Sequence, residues 1–192
     1  MYGVDALLNL RQLVDDFFLF IQSKSIEIYN EFSLQHELGI FLREKLPDYR
    51  IQFERNVSYF LINSKTIKKE IDISIFNDDK SERYAIELKH PLNGQYPEQM
   101  YSFVKDVKFM EQLKENGFTK TAVVVLVSDR PFYEGRSNQG IYKYFRNEYM
   151  VYGDVLKPTG AMKGKEFISL KGTYNFSWKS AGNNKKYFMI EV

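Results

Sequence analysis

Two short segments carry the residues best placed to do chemistry: Glu70-Ile71-Asp72-Ile73-Ser74-Ile75-Phe76 and Tyr84-Ala85-Ile86-Glu87-Leu88-Lys89-His90. Both have the composition of β-strands, and a strand sends alternate side chains to opposite faces. Asp72 then shares a face with Glu70 and Ser74, and Ile71, Ile73 and Ile75 take the other. Glu87 and Lys89 share a face, with Ile86 and Leu88 behind them. If the two strands are neighbours, Asp72, Glu87 and Lys89 converge. Two carboxylates and a lysine at one place suit divalent-cation binding and phosphodiester cleavage. Aspartate is depleted in strands, so one bracketed by isoleucines calls for a reason beyond solvation.

The elements around these strands can be read from periodicity. Residues 4–30 hold Leu7, Leu10, Val14, Phe17, Phe18 and Ile21 at three- and four-residue spacing. This predicts an amphipathic helix, broken near Ser23-Lys24-Ser25. Ser33 is the expected N-cap of a second helix from Leu34 to about Leu46, ended by Pro47-Asp48. Residues 50–62 alternate as a strand. Asn77-Asp78-Asp79-Lys80 is a polar turn, so the strands bearing Asp72 and Glu87 should form an antiparallel hairpin. Pro91–Pro97 is a loop. A long helix follows from about Pro97 to Asn116, with Met100, Phe103, Val104, Val107, Met110 and Leu113 on its apolar stripe and Gly117 past its end. Thr121–Val127 is a continuous apolar run, as expected of a strand buried on both faces after a crossover. Further on, a short helix is expected over 138–148, loops over 150–170, and a terminal hairpin pairing Tyr174–Trp178 with Tyr187–Val192.

Composition limits the function. The 192 residues fit a single domain, and 44% are hydrophobic, as in a globular chain. There is no cysteine, which excludes disulfide frameworks and thiolate zinc sites. With only two histidines, His36 and His90, a histidine-based metal site is disfavoured as well. No apolar run of about 18 residues predicts a membrane span. Asp5, Asp15 and Asp16 argue against a secretory signal, and the expectation is a cytoplasmic protein with no membrane partner. No phosphate-cradling Walker or dinucleotide pattern and no nucleophile elbow appears. Net charge is +2, but residues 1–96 hold 12 basic against 15 acidic residues and residues 97–192 hold 15 against 10. That asymmetry suits an acidic metal site beside a basic phosphate-binding half; it equally describes an ordinary solvated surface.

The order is helix, strand, strand with Asp72, strand with Glu87-Leu88-Lys89, long helix, buried strand. This resembles the PD-(D/E)XK phosphodiesterase superfamily over residues 33–127. The resemblance implies an α/β restriction endonuclease-like fold: an αβββαβ core whose central mixed sheet is flanked by helices. To this core the chain adds an N-terminal helical segment (1–32) and a C-terminal extension with a β-hairpin (128–192), all in one domain spanning 1–192. It implies a metal-dependent nuclease acting on nucleic acid, with DNA the expected substrate, in restriction, antiphage defence or repair. Asp72, Glu87 and the Leu88 carbonyl would hold Mg²⁺ or Mn²⁺. Lys89 would lie near the attacking water and the scissile phosphate, as electrostatic stabiliser or as base. Glu37 on the preceding helix would complete the site, with Glu31 and Glu44 as alternatives. Gln99, one turn into the long helix, matches a glutamine that some relatives place near the active site. The chain departs from the pattern in having Ile71 where a proline often precedes the aspartate. Many relatives dimerise, so a homodimer is a further expectation.

Lys105 and Lys108 lie at i, i+3 on the long helix and, with Lys143 and Arg146, are candidates to meet phosphates. A solvated helix face is the alternative for the first two. Two other functions stay open. One is a non-catalytic module on the same fold that binds nucleic acid or protein. The other is an unrelated α/β interaction protein whose charged strand faces are merely hydrated.

Overall fold

The computed structural model describes residues 7–62 and 64–192. The first residues of the helix expected from residue 4 lie outside them. Helix α1 (Leu10–Ser23) starts where the Asn9 side chain accepts the Gln12 N–H at 3.0 Å. It ends where expected, with Ser25 at φ 53°. Helix α2 (Glu31–Lys45) begins earlier than expected. Asn30 is the N-cap, and Ser33 is its partner one turn in. The Asn30 side chain accepts the Ser33 N–H at 2.8 Å, and the Ser33 hydroxyl accepts the Asn30 N–H at 3.0 Å. Such reciprocal capping satisfies two otherwise unpaired donors and fixes the first turn. That turn carries Glu31.

Strands β1 (Arg50–Asn56), β2 (Glu70–Phe76) and β3 (Arg83–Lys89) form an antiparallel meander. The strand expected over 50–62 stops at Asn56, whose side chain accepts the Ser58 N–H and turns the chain into a 3₁₀ turn, Val57–Phe60. Helix α3 (Tyr96–Glu115) crosses over to β4 (Lys120–Val127), which pairs parallel with β3. Past α3, Gly117 stands at φ +89°, a conformation that favours glycine. Every residue of β4 after Lys120 is buried. Val123, Val125 and Val127 pack under α3, and Ala122, Val124 and Leu126 pack under α1 and α2. The predicted order of helix, three strands, helix and buried strand is therefore present in a mixed sheet flanked by helices.

The chain after residue 128 differs from expectation. Strands β5 (Met150–Leu156) and β6 (Phe167–Asn175) form a separate hairpin where loops were expected. Only short alternations such as Val151/Val155 and Ile168/Leu170 mark its buried face, which packs in the α3 layer. The helix expected over 138–148 contracts to one wide turn, Tyr144–Glu148. The terminal hairpin pairs β7 (Lys179–Gly182) with β8 (Lys185–Glu191); none of the expected first arm, Tyr174–Trp178, is in it, and Tyr174 and Asn175 end β6 instead. Its turn places Asn183 and Asn184 at φ 48° and 61°, suited to the twist of a tight hairpin. Strand β8 lies beside β4, so the six-stranded sheet runs β1-β2-β3-β4-β8-β7. The C-terminal hairpin completes the central sheet and is no appendage. Among the described residues, no helix is long and apolar enough to cross a membrane.

A buried carboxylate fastens the β5–β6 hairpin to α3. Glu111 accepts the N–H groups of Lys171 (2.7 Å) and Gly172 (2.9 Å) and the Tyr174 hydroxyl (2.9 Å), and it pairs with Lys108. Burial opposes its charge, but these donors prevail and hold the carboxyl below its ordinary 4.5. A depressed folded value contributes stability above the unfolded value, and that stability is lost as pH falls through the folded one. Glu111→Ala should therefore cost about 2–4 kcal/mol at neutral pH, and less on acidification. Urea melts at about pH 7 and pH 3.5 measure both values; a pH-independent or negligible difference refutes the assignment.

Candidate active site

The strands bring Asp72, Glu87 and Lys89 together by opening around them. The β2–β3 ladder runs from Phe76↔Arg83 to Ile73↔Ile86 and stops before Asp72 and Glu87. The β1–β2 ladder pairs Phe53 with Ile73 and Arg55 with Ile71, skipping Glu54 and Asp72, and Glu54 sits at φ +48°. The backbone of Asp72 is satisfied by side chains instead. Glu87 Oε1 accepts its N–H at 3.1 Å, and Gln35 Nε2 donates to its carbonyl at 2.9 Å and to Glu54 Oε1 at 2.6 Å. Asp72 Oδ2 in turn accepts the Leu88 N–H at 2.8 Å. The two carboxylates thus replace the hydrogen bonds that the sheet gives up. The same opening turns Ile71 into the layer under α3, away from Ile73 and Ile75, with which alternation grouped it.

Three further charged residues complete the cluster. Lys68, on the loop before β2, donates to Glu87 Oε2 and lies 3.1 Å from Asp106 Oδ1. Asp106 comes from α3 and is 2% exposed. Lys89 Nζ lies 3.5 Å from Asp106 Oδ2 and 3.5 Å from Glu31 Oε1, and it donates to the Leu88 carbonyl at 3.0 Å. Glu31 Oε2 also accepts the His90 N–H at 3.1 Å. Glu87 and Asp106 form the buried floor; Lys68, Lys89 and Glu31 form the more accessible rim. Beside the rim, a cleft of about 290 Å³ opens between Ile67, the α3 residues Gln99, Ser102 and Lys105, and Lys157.

Four carboxylates face two ammonium groups here, and the acids show it. Burial raises Asp72 from 3.8 to about 6 against the pull of Lys68, the Leu88 N–H and Lys89. Burial, Asp72 and Asp106 push Glu87 well above the usual carboxylate range. Burial likewise raises Asp106, against Lys89 and Lys68. Burial disfavours charge on both lysines, yet the acids outweigh it: Asp106, Glu87 and Asp72 raise Lys68, and Asp106 and Glu31 raise Lys89. Both lysines are ammonium ions at neutral pH, and the proton-accepting groups are the carboxylates.

The predicted residues divide sharply. Asp72, Glu87, Leu88 and Lys89 come together. Glu37 does not join them: it pairs with His36 at 3.6 Å and lies about 120° around α2 from Glu31, the glutamate that reaches Lys89. Gln99 donates to Asn93 Oδ1 at 3.0 Å and lines the neighbouring cleft. It shares a helix face with Asp106 but precedes it by two turns, about 10 Å along the axis. Lys105 is exposed on the cleft. Lys108 is committed to Glu111 at 2.9 Å, so its head is not free to meet phosphate. Lys143 lies over the rings of Tyr144 and Tyr152. Arg146 donates to the carbonyls of Pro131 and Ser137 and covers Tyr142, clamping its own loop. Lys68, Asp106 and Gln35 had no assigned role. Asp106 carried a signal: an acid between Phe103 and Met110 on the apolar stripe of a buried helix.

The donor set suits a hard divalent cation in chemistry and charge: carboxylate oxygens in excess over ammonium groups, with Asp106 Oδ2 buried and lacking a hydrogen-bond donor among the described residues. As the side chains stand, no three acidic or histidine groups among the described residues are arranged to hold an ion, and Lys68 engages Glu87 and Asp106. Comparison with protein-family models, with curated proteins and with solved structures found no significant match.

Proposed function

We propose that this chain is a Mg²⁺- or Mn²⁺-dependent nuclease of the PD-(D/E)XK type, built on a restriction endonuclease-like core and cutting DNA. One observation carries the reading: Asp72, Glu87 and Lys89 meet at the open end of neighbouring strands, within the element order the resemblance implies. Asp72 and Glu87 would hold the cation. A bound ion would supply water activation and charge neutralisation at the scissile phosphate. Lys89, kept as ammonium by Asp106 and Glu31, would oppose charge developing on the phosphate oxygens and would not serve as base. Glu31, the alternative to Glu37 on the same helix, would orient Lys89. Gln35 fixes the strand at Asp72. The adjoining cleft is lined by Lys105 and Lys157 but also by Glu98 and Glu166, and Lys157 pairs with Glu166 at 3.3 Å, so Lys105 is the cation there that a backbone phosphate would meet.

Plasmid, single-stranded DNA and RNA incubated with wild type and Lys89→Ala across Mg²⁺, Mn²⁺ and Ca²⁺ provide the test. Cleavage of DNA by wild type that needs Mg²⁺ or Mn²⁺ and falls by about 10²–10³-fold in the variant is expected. No metal-dependent cleavage of any of the three substrates would count against the reading. One observation favours a second reading, a non-catalytic binding module: Lys68 already occupies the space between Glu87 and Asp106. Under that reading, titration calorimetry would detect no uptake of Mn²⁺.

A further inference from the structure

We infer that Asp106 is a third carboxylate ligand of the divalent cation, and that Lys68 is the counter-ion holding its place until the metal arrives. The inference rests on the metal-site reading above and extends it to two residues outside the motif.

Asp106 is buried with one carboxylate oxygen paired and the other left without a hydrogen-bond donor among the described residues. It is 2% exposed on the apolar face of α3, between buried Phe103, Val107 and Met110. An unpaired buried charge is costly, so such an acid is retained only with compensation. Here the compensation is incomplete. Oδ1 meets Lys68, but Oδ2 has no hydrogen-bond donor among the described residues and only the Lys89 ammonium at 3.5 Å. Glu111, five residues further on the same helix, shows the contrast, since it receives two backbone N–H groups and a hydroxyl. Asp106 is aimed at a place where a cation belongs.

Lys68 occupies that place with a single positive charge. Its ammonium touches the same two acids, Glu87 and Asp106, that would close on an ion beside Asp72. An ammonium holds oxygens at about 2.7–2.9 Å, while Mg²⁺ draws them to about 2.1 Å and brings twice the charge. Exchange therefore needs the acids to draw closer, together with withdrawal of one long, flexible side chain. Lys68 sits on the segment between the 3₁₀ turn and β2, tied by Thr66 to the Lys68 carbonyl and by Gln112 to the Ile67 N–H. Its side chain is 26% exposed, so it has a route to solvent. Metal and Lys68 are mutually exclusive occupants of Glu87 and Asp106.

Titration calorimetry with Mn²⁺ on the full chain, without substrate, separates the outcomes. Lys68→Met should bind Mn²⁺ about tenfold tighter than wild type, and Asp106→Asn about tenfold or more weaker. In the double variant the gain from Lys68→Met should shrink, because the acid it frees is absent. Thermal melts with and without Mn²⁺ confirm folding and give a second readout; Lys68→Met lies on a loop and tests the inference even if Asp106→Asn fails to fold. Mn²⁺ uptake that requires Asp72 but ignores both Lys68 and Asp106 overturns this inference and leaves the metal-site reading standing. No uptake by any variant overturns both.

Discussion

Asp72→Asn is expected to lower metal-dependent cleavage by about 10³-fold or more, because several kcal/mol of charge stabilisation leave with the cation. The same change should make the metal-free protein more stable at about pH 8. Burial raises the Asp72 carboxyl from 3.8 to about 6. A group raised on folding contributes stability that is complete below its unfolded value and is lost as pH rises through the folded value. Through Asp72 alone the metal-free wild type should therefore lose about 3 kcal/mol between about pH 4 and pH 7, at about 1.4 kcal/mol per unit. Asparagine can still accept the Leu88 N–H that Asp72 Oδ2 now takes, and it carries no charge to bury. Urea melts in EDTA at about pH 5 and pH 8, beside cleavage assays, test both halves. A variant that is inactive but also less stable at pH 8 would show Asp72 to be a structural acid.

Phe188→Ala should cost about 3–5 kcal/mol, enough to threaten the folded state of a typical domain. Phe188 is fully buried on β8, with ring centroids 4.4 Å from Phe176, 4.8 Å from Trp178, 6.0 Å from Phe145 and 6.2 Å from Phe103. It joins the central sheet to α3 and to the chain that follows β4. Loss of the ring leaves a cavity that several packed aromatics cannot jointly fill. Thermal or urea unfolding should show one cooperative transition displaced as a whole. A separate early transition confined to the C-terminal residues would mean that they fold as an appendage.

The central strands were legible because their side chains alternate, or are uniformly apolar, over at least seven residues. A buried sheet with a crossover helix leaves few other arrangements. The β5–β6 hairpin was not legible. Its buried residues are few, and its attachment depends on Glu111, an acid whose partners lie about 60 residues away along the chain. Glu37 and Glu31 could not be separated by composition. The boundary of α2 decided between them once Asn30, and not Ser33, proved to be the cap.

The sequence by itself determined that Asp72, Glu87 and Lys89 would gather, because strand alternation and a short polar turn are local rules. Only the tertiary structure decided what surrounds them. Lys68, Asp106, Glu31 and Gln35 come from a loop and two helices, and electrostatics in a buried space acts on distance, with no regard to separation along the chain. Which acid meets which ammonium was therefore settled by the packing of α2 and α3 on the sheet.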